Sequence, residues 1–367
     1  MPIDVFSFFS GLGFLDLGFE NAGFNIAFVN EYNETFLRAY QYARRHRDFT
    51  PEFGYSHDDV RAFLSDEKWE DTFPQYNHRG DRLIGFIGGP PCPDFSAAGT
   101  NAGEKGLNGQ LTTVYVQLIE KRRPDFFVLE NVKGLYQTKK HHEYYERIKR
   151  RLYRSGYSLF DSIENALLYG VPQFRDRLIL IGFKRERFGR NLQYVFGGRR
   201  LYTMDIIKRT QWPTVTPFQQ NGRLEQPRGI IQELTVQHWF EINRVEEHPN
   251  ACDCFAVKKE DKFLTIPEGE SRGKSFKRLH RWRYSPTAAY GNNEVHLHPY
   301  LPRRISVAEA LAIQSLPQDF SLPSDITLSS KFKMVGNGVP YLLALGIARD
   351  LYEWIENNLR RIEGENG

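Results

Sequence analysis

An α/β fold carrying a smaller loop- and β-rich insertion is what this chain predicts, and three observations predict it. In the first half, short apolar runs alternate with amphipathic stretches, the pattern of βα units and a parallel sheet. After Phe183, Gly197-Gly198, Trp212-Pro213, Thr216-Pro217, Gln226-Pro227 and Ile266-Pro267-Glu268-Gly269 break the chain into short pieces. Helical periodicity then returns at Ser306–Gln314 and Pro340–Leu359. The expected organisation is a large domain from 1–183 plus 325–367, with 184–324 forming the smaller one.

Taken in order, the expected strands are Ile3–Phe8, Asn25–Asn30, Leu83–Ile87, Phe126–Leu129 and Leu178–Phe183, each short, apolar and bounded by turn residues. The helices between them are expected at Asp16–Ala22, Glu34–Arg45, Leu111–Lys121 and Glu143–Ser155. At 367 residues, 40% hydrophobic and 14% aromatic, the chain has material for both domains. Its 3 Cys, two of them separated by one residue as Cys252 and Cys254, exclude a disulfide framework and indicate a reducing compartment. No apolar stretch approaches the roughly 20 residues that span a bilayer. The first strand begins at Ile3 with no secretory signal before it. A cytoplasmic protein without an N-terminal regulatory domain is therefore expected. The net charge of +4 is unevenly spread: Lys184 to Arg283 carries 20 basic and 12 acidic residues, the remainder 29 and 33. Such a basic stretch fits a polyanion-facing module on a near-neutral body, or an ordinary solvated surface.

Cys92 is the most informative residue. It follows the strand Leu83–Ile87 in Gly88-Gly89-Pro90-Pro91-Cys92-Pro93, at the strand end where open α/β sheets bind ligands. A rigid Pro-Pro step presents a side chain, although a free Cys also serves as a small buried hydrophobe. Ser10-Gly11-Leu12-Gly13 lies between the first strand and first helix, where glycines admit a ligand close to the backbone or simply make a tight turn. Glu31, at the end of the second strand, can take both hydroxyls of a ribose, and Asp58-Asp59 offers a further carboxylate. No Gly-Lys-Ser/Thr follows the loop, so a nucleoside lacking a triphosphate, such as S-adenosylmethionine, fits better than ATP. Glu130 directly follows the strand Phe126–Leu129, and alternation puts Arg175 and Arg177 on one face. Each alone reads equally as half of a structural ion pair. Together with Cys92 they supply a nucleophile, an acid for a ring nitrogen, and guanidinium groups for a carbonyl and a phosphate.

In this order the motifs resemble those of the DNA (cytosine-5) methyltransferases of bacterial or phage restriction-modification type. The matching pieces are Phe9-Ser10-Gly11-Leu12-Gly13, Asn30-Glu31, Gly89-Pro90-Pro91-Cys92, Glu130-Asn131-Val132, Gly170 to Arg177, Arg303 to Pro317, and Gly336-Asn337-Gly338-Val339-Pro340. The resemblance implies a Rossmann-like catalytic domain with a target-recognition region inserted near the C-terminus. It implies transfer of a methyl group from S-adenosylmethionine to C5 of a flipped cytosine in double-stranded DNA. Cys92 would add to C6, Glu130 would hold the N3 edge, Arg177 would meet the carbonyl, and Arg175 would lie near the phosphate and Glu130. Cofactor contacts would fall to Phe9, Gly11, Leu12, Glu31, Asp59, Val60, Pro91, Leu111, Asn337 and Val339. A monomer acting beside a separate restriction endonuclease is expected. The alternatives are a tRNA cytosine-5 methyltransferase and a catalytically silent DNA-binding homologue.

Two positions depart from the family pattern. Phe14 stands where many members have glycine, and Pro93 where most have glutamine. Arg199, Arg200, Lys208, Arg209, Arg272, Lys274, Lys277, Arg278, Arg281 and Arg283 are the candidates for phosphate or guanine contacts, more than half of them expected to be merely solvated. His238, His248, Cys252 and Cys254 match no common zinc spacing, so no metal is expected.

Overall fold

The computed structural model describes residues 3–47, 49–74, 76, 82–91, 107–256, 260–272, 276–288, 290 and 295–365. The chain runs from β1 (Ile3–Phe8) through a glycine loop into α1 (Phe14–Glu20), β2 (Asn25–Asn30) and α2 (Glu34–Ala43). A two-residue β3 (Tyr55–Ser56), a 3-10 turn (Val60–Leu64) and α3 (Asp66–Thr72) follow. Next come β4 (Leu83–Gly88), α4 (Leu107–Arg122), β5 (Phe126–Val132), the single-turn α5 (Gly134–Gln137) and α6 (Lys139–Arg154). β6 (Tyr157–Asn165) and β7 (Asp176–Lys184) complete the main sheet, and α7 (Arg185–Phe188) leaves it. Beyond it lie α8 (Met204–Arg209), α9 (Val236–Ile242), α10 (Glu260–Thr265), and a parallel pair of β8 (Phe276–Arg278) and β9 (Val295–Leu297). The chain closes with α11 (Val307–Ile313), α12 (Leu328–Asn337) and α13 (Tyr341–Glu365).

The seven-stranded sheet has the order β3-β2-β1-β4-β5-β7-β6. β1 to β5 pair in parallel, whereas β7 runs antiparallel to both β5 and β6. That reversal departs from the parallel sheet read from the sequence. Every residue of β1 and β4 is buried, as strands covered on both faces must be. Ile3 and Val5 face the layer of α1 and α13, while Phe6 and Phe8 join Phe28, Phe63, Trp69, Phe73 and Phe86 on the other face. These rings meet tilted, edge-on or offset, as with Phe28 against Phe73 at 4.8 Å and Phe6 against Phe73 at 4.7 Å. The last helix returns to the first: a Cβ on Gly18 would lie 2.7 Å from Ala344, so only glycine allows α1 and α13 to approach this closely.

Several elements differ from the sequence reading, α4 and α6 among them, each beginning four residues earlier than expected. β5 continues to Val132 because the reversed β7 offers Glu130, Asn131 and Val132 partners at Ile179, Leu178 and Arg177. β6 was not expected, since its half-exposed edge position tolerates the polar residues that interrupt its apolar pattern. α1 begins two residues earlier than expected, directly at the left-handed Gly13. At the end of β8, buried Arg278 donates to the carbonyls of Phe263, Ile266, His298 and Leu301 and lies 3.9 Å over the Phe218 ring. No helix among the described residues is long and apolar enough to cross a membrane.

Two glycines sit opposite large rings across the centre of the sheet. Gly85 pairs with Phe126, and Gly182 pairs with Phe127. A Cβ at Gly182 would stand 2.1 Å from the Phe127 ring. Gly182→Val should therefore overpack the core and destabilise the fold by about 1–3 kcal/mol, read from the midpoint of urea unfolding; an unchanged midpoint would contradict this packing.

Candidate active site

The strand registers align one edge of the sheet. Phe8 is level with Asn30 of β2 and Gly88 of β4, and Gly88 is level with Leu129 of β5. Phe9, Glu31, Gly89 and Glu130 thus emerge side by side at the carboxyl ends of four parallel strands. Because β1 is flanked by β2 on one side and β4 on the other, this is also where the strand order reverses, the usual position for a ligand crevice.

Three residues of the glycine loop take left-handed backbone angles: Phe9 with φ 57°, Gly11 with φ 56° and Gly13 with φ 72°. The two glycines face different surroundings. A Cβ on Gly11 would meet nothing within 4 Å, whereas one on Gly13 would lie 2.1 Å from the Tyr40 ring. The loop rests on buried Arg44, which donates to the carbonyls of Leu12 (3.3 Å) and Gly13 (2.7 Å) while stacking on Tyr40. Tyr40 and Ser7 in turn donate to buried Asp16. Burial raises the Asp16 pKa, and Arg44, Ser7 and Tyr40 offset this. Phe14, the first departure from the family pattern, is buried edge-on against Phe320 at 5.4 Å, and a Cβ on Gly338 would come within 2.1 Å of its ring. The larger residue therefore ties the glycine loop to the turn after α12.

Glu31 is fixed by two main-chain donors: Gly11 N–H to Oε2 at 2.8 Å and Asn33 N–H to Oε1 at 2.9 Å. Burial raises its pKa, with the two N–H groups opposing. Asn30 donates to the carbonyls of Ser56 and Asp58, which brings the 56–60 segment beside Glu31. Asp59 caps the following 3-10 turn through Arg61 N–H and pairs with the Arg61 guanidinium at 2.7 Å. Leu12 and Val60 are buried in the core, so the backbone is what they offer a ligand. Phe9 lies edge-on to Tyr115 at 5.9 Å. Pro91 and Leu111 are half-buried, Asn337 is exposed at the end of α12, and Val339 is buried just beyond. Tyr32, next to Glu31, is 71% exposed. The sequence reading passed over this ring; its only signal was an aromatic residue immediately after the carboxylate at the strand end.

At the other end of the row, Glu130 Oε1 meets Arg177 Nε at 2.7 Å, each side chain being 10% exposed. A Cβ on Gly89 would stand 2.7 Å from Glu130 Oε2, so the glycine leaves this carboxyl group room beside the chain. Burial raises the Glu130 pKa above its ordinary value, while Arg177 and then Arg175 oppose the rise. Arg175 lies one residue before β7 and takes a different course from Arg177. It donates to the carbonyls of Ala288 (2.6 Å), Gly336 (2.6 Å) and Gly338 (3.1 Å), and to Gln173 Oε1 (3.3 Å). The row thus combines a buried carboxyl group, a guanidinium paired with it and a Gly89-Pro90-Pro91 exit. Cys92 and Pro93, to which that exit leads, lie outside the described residues.

Much of the basic charge after Lys184 is internally committed. Arg199 pairs with Glu353, Arg200 with Glu164, and buried Arg281 with Glu268, while Arg278 serves the carbonyls named above. Lys208, Arg209 and Arg272 are exposed, Lys277 is half-buried, and Arg283 lies over Tyr284; Lys274 is outside the described residues. The His248 ring bridges Phe320 O and Asn250 N–H, and Cys254 Sγ donates to Arg304 O. His238 lies on α9, and Cys252 is exposed. Among the described residues no three His, Cys, Asp or Glu are grouped to hold a metal ion.

Comparison with known proteins places the site in context. The family model for C-5 cytosine-specific DNA methylases matches residues 3–353. The chain is 52% identical to the Type II methyltransferase M.NmeDI of Neisseria meningitidis serogroup C, covering 97% of this chain and 85% of that protein. It is 29% identical to the Type II methyltransferase M.FnuDI of Fusobacterium nucleatum, covering 95% and 94%. Its fold is similar to that of an Escherichia coli prophage-encoded protein described as a DNA modification methyltransferase, with TM-score 0.65 and 22% identity over 96% of this chain and 99% of that one. It is also similar to the S. pombe Dnmt2 methyltransferase, with TM-score 0.60 and 13% identity over 97% and 99%.

The Glu130–Arg177 pair has a pH signature. The folded carboxyl titrates above its ordinary value of 4.5, so Glu130 takes up a proton on folding. Its contribution to stability is full below that value and is lost as pH rises through the folded one. Arg177→Gln removes the largest opposing charge and should shift Glu130 ionisation to higher pH, followed by the carbon-13 carboxyl resonance; a downward shift would contradict the pairing.

Proposed function

Since the chain belongs to the C-5 cytosine-specific DNA methylases, we propose that it methylates C5 of one cytosine within a specific sequence of double-stranded DNA, by base flipping and a covalent Cys92–C6 intermediate. The observation that carries this reading is the Glu130–Arg177 pair, facing the Gly89-Pro90-Pro91 exit that leads to Cys92. The residues present fit S-adenosylmethionine: the space beside Gly11 is open, and Glu31, held by two N–H groups, keeps lone pairs for two ribose hydroxyls. When bound, that cofactor supplies an electrophilic methyl group on a sulfonium centre. Phe9, Gly11, Leu12, Glu31, Asp59, Val60, Pro91, Leu111, Asn337 and Val339 line its place, with the Tyr32 ring available to stack on the base.

The protein's part in the chemistry begins at Cys92. Its thiolate adds to C6, and the electron pair displaced from the C5–C6 bond makes C5 nucleophilic. Glu130, kept protonated to higher pH by burial, holds N3 and the exocyclic amino group while charge develops on the ring. In this reading Arg177 meets the cytosine carbonyl, and Arg175, which also acts electrostatically on Glu130, ties the start of β7 to Ala288, Gly336 and Gly338. After methyl transfer, loss of the C5 proton to a base restores the C5–C6 double bond as the C6–S bond breaks and Cys92 leaves as thiolate. Because C6 is shielded within the stack, the cytosine must leave the duplex first.

Residues 184–324 form the target-recognition part in this reading, with 1–183 and 325–367 as the catalytic part. Exposed Lys208, Arg209 and Arg272 are its best phosphate contacts. Two relatives are named as Type II methyltransferases, which supports DNA modification beside a separate restriction endonuclease.

A duplex carrying the target with 5-fluorocytosine should trap the enzyme, because the C5 proton that must leave is missing. The expected result is a denaturation-resistant protein–DNA adduct that Cys92→Ser abolishes while cofactor binding survives. Bound DNA without any adduct would sink the covalent mechanism, and loss of cofactor binding in Cys92→Ser would make the thiol structural. In a labelled-methyl assay, DNA should accept label and tRNA should not; methylation mapping then identifies the sequence.

A further inference from the structure

Gln314, fully buried at the C-terminal end of α11, joins the base-side strand to the cofactor-side turn through one amide. Its Oε1 accepts from Gln173 Nε2 at 3.0 Å, and its Nε2 donates to Val335 O at 2.6 Å. Its own carbonyl accepts from Tyr341 N at 3.0 Å, where α13 begins. Gln173, also fully buried, continues the line: its Oε1 accepts from Ala288 N at 3.0 Å and from Arg175 Nη1 at 3.3 Å. Arg175 closes the circuit on Ala288, Gly336 and Gly338. Three segments therefore share one set of hydrogen bonds. They are the lead into β7, whose second residue is Arg177; the stretch 285–288; and the turn Gly336–Val339.

The amide is chemically necessary at 314. It must accept on one side and donate on the other, and a glutamate, methionine or leucine of similar reach leaves one or both partners unmet. Because these bonds are buried and each is already made, displacement of one segment strains the other two. We propose that Gln314 is a positioning residue, acting through Gln173 and Arg175, which makes DNA and the methyl donor each bind more tightly in the presence of the other. This rests on the reading above that Asn337 and Val339 face the methyl donor and that the smaller part meets DNA. A ligand held at 337–339 and a duplex held against 285–288 favour the same arrangement of the circuit, and such linkage is reciprocal.

Titration calorimetry with S-adenosylhomocysteine, with and without a saturating target duplex, tests this. In the wild type the duplex should tighten binding at least about fivefold. In Gln314→Met that ratio should fall to about one, with S-adenosylhomocysteine alone binding within about threefold of wild type. A wild-type ratio near one, or a full ratio retained in the variant, overturns the proposal while leaving the enzymatic reading intact. Wild-type protein that binds neither probe overturns both. A measurement on the wild type alone covers the case of a variant that fails to fold. S-adenosylhomocysteine without DNA should slow hydrogen exchange in the peptide containing Ala288, whose N–H is held by Gln173; unchanged exchange there overturns the proposal.

Discussion

The reversal of β7 between β5 and β6 is the constraint on which the site depends. In a wholly parallel sheet the start of that strand would lie at the far edge, about 30 Å away for nine residues at roughly 3.3 Å each. Running antiparallel, β7 brings its first residues to the carboxyl end of β5 and sets Arg177 level with Val132, within reach of Glu130. The same reversal extends β5 by giving Glu130 and Asn131 ladder partners. A buried carboxylate is costly without a cation, and the strand direction supplies one without a long loop.

Around that edge, arginines replace regular secondary structure as the means of satisfying backbone carbonyls. Arg44 holds the glycine loop, Arg175 holds the 288 and 336–338 segments, and Arg278 holds four carbonyls around β8 and β9. Loops this close to a core cannot leave those oxygens to water, and a guanidinium has five donors in a fixed fork. This explains why a basic stretch of sequence gives a less basic surface than its residue count implies. It also separates Arg175 from Arg177: two residues apart, one bonds to loop carbonyls and the other pairs with Glu130.

Legibility followed the range of the interactions. The core strands could be read because both faces are buried and their apolar runs are continuous, as in Ile3–Phe8 and Leu83–Gly88. β6 could not, because an edge strand paired on one side mixes polar and apolar residues freely. Glu31 and Glu130 could be located from their place at strand ends. Tyr32 gave little signal, and the internal pairing of Arg199, Arg200 and Arg281 gave none, since Glu353, Glu164 and Glu268 are distant in sequence.

By itself, then, the sequence determined the α/β class, the order of the motifs, the family, and the residue types gathered for chemistry, because these follow from local periodicity and from spacing within short segments. Only the tertiary structure decided the direction of β7, the different partners of Arg175 and Arg177, the burial of Arg278 and Arg281, and the packing of Phe14 beneath Gly338. Each of these is a contact between segments whose separation in the chain carries no periodic signal. What fixes them is the cost of leaving a buried charge, carbonyl or cavity without a partner, and that cost exists only once the segments have come together.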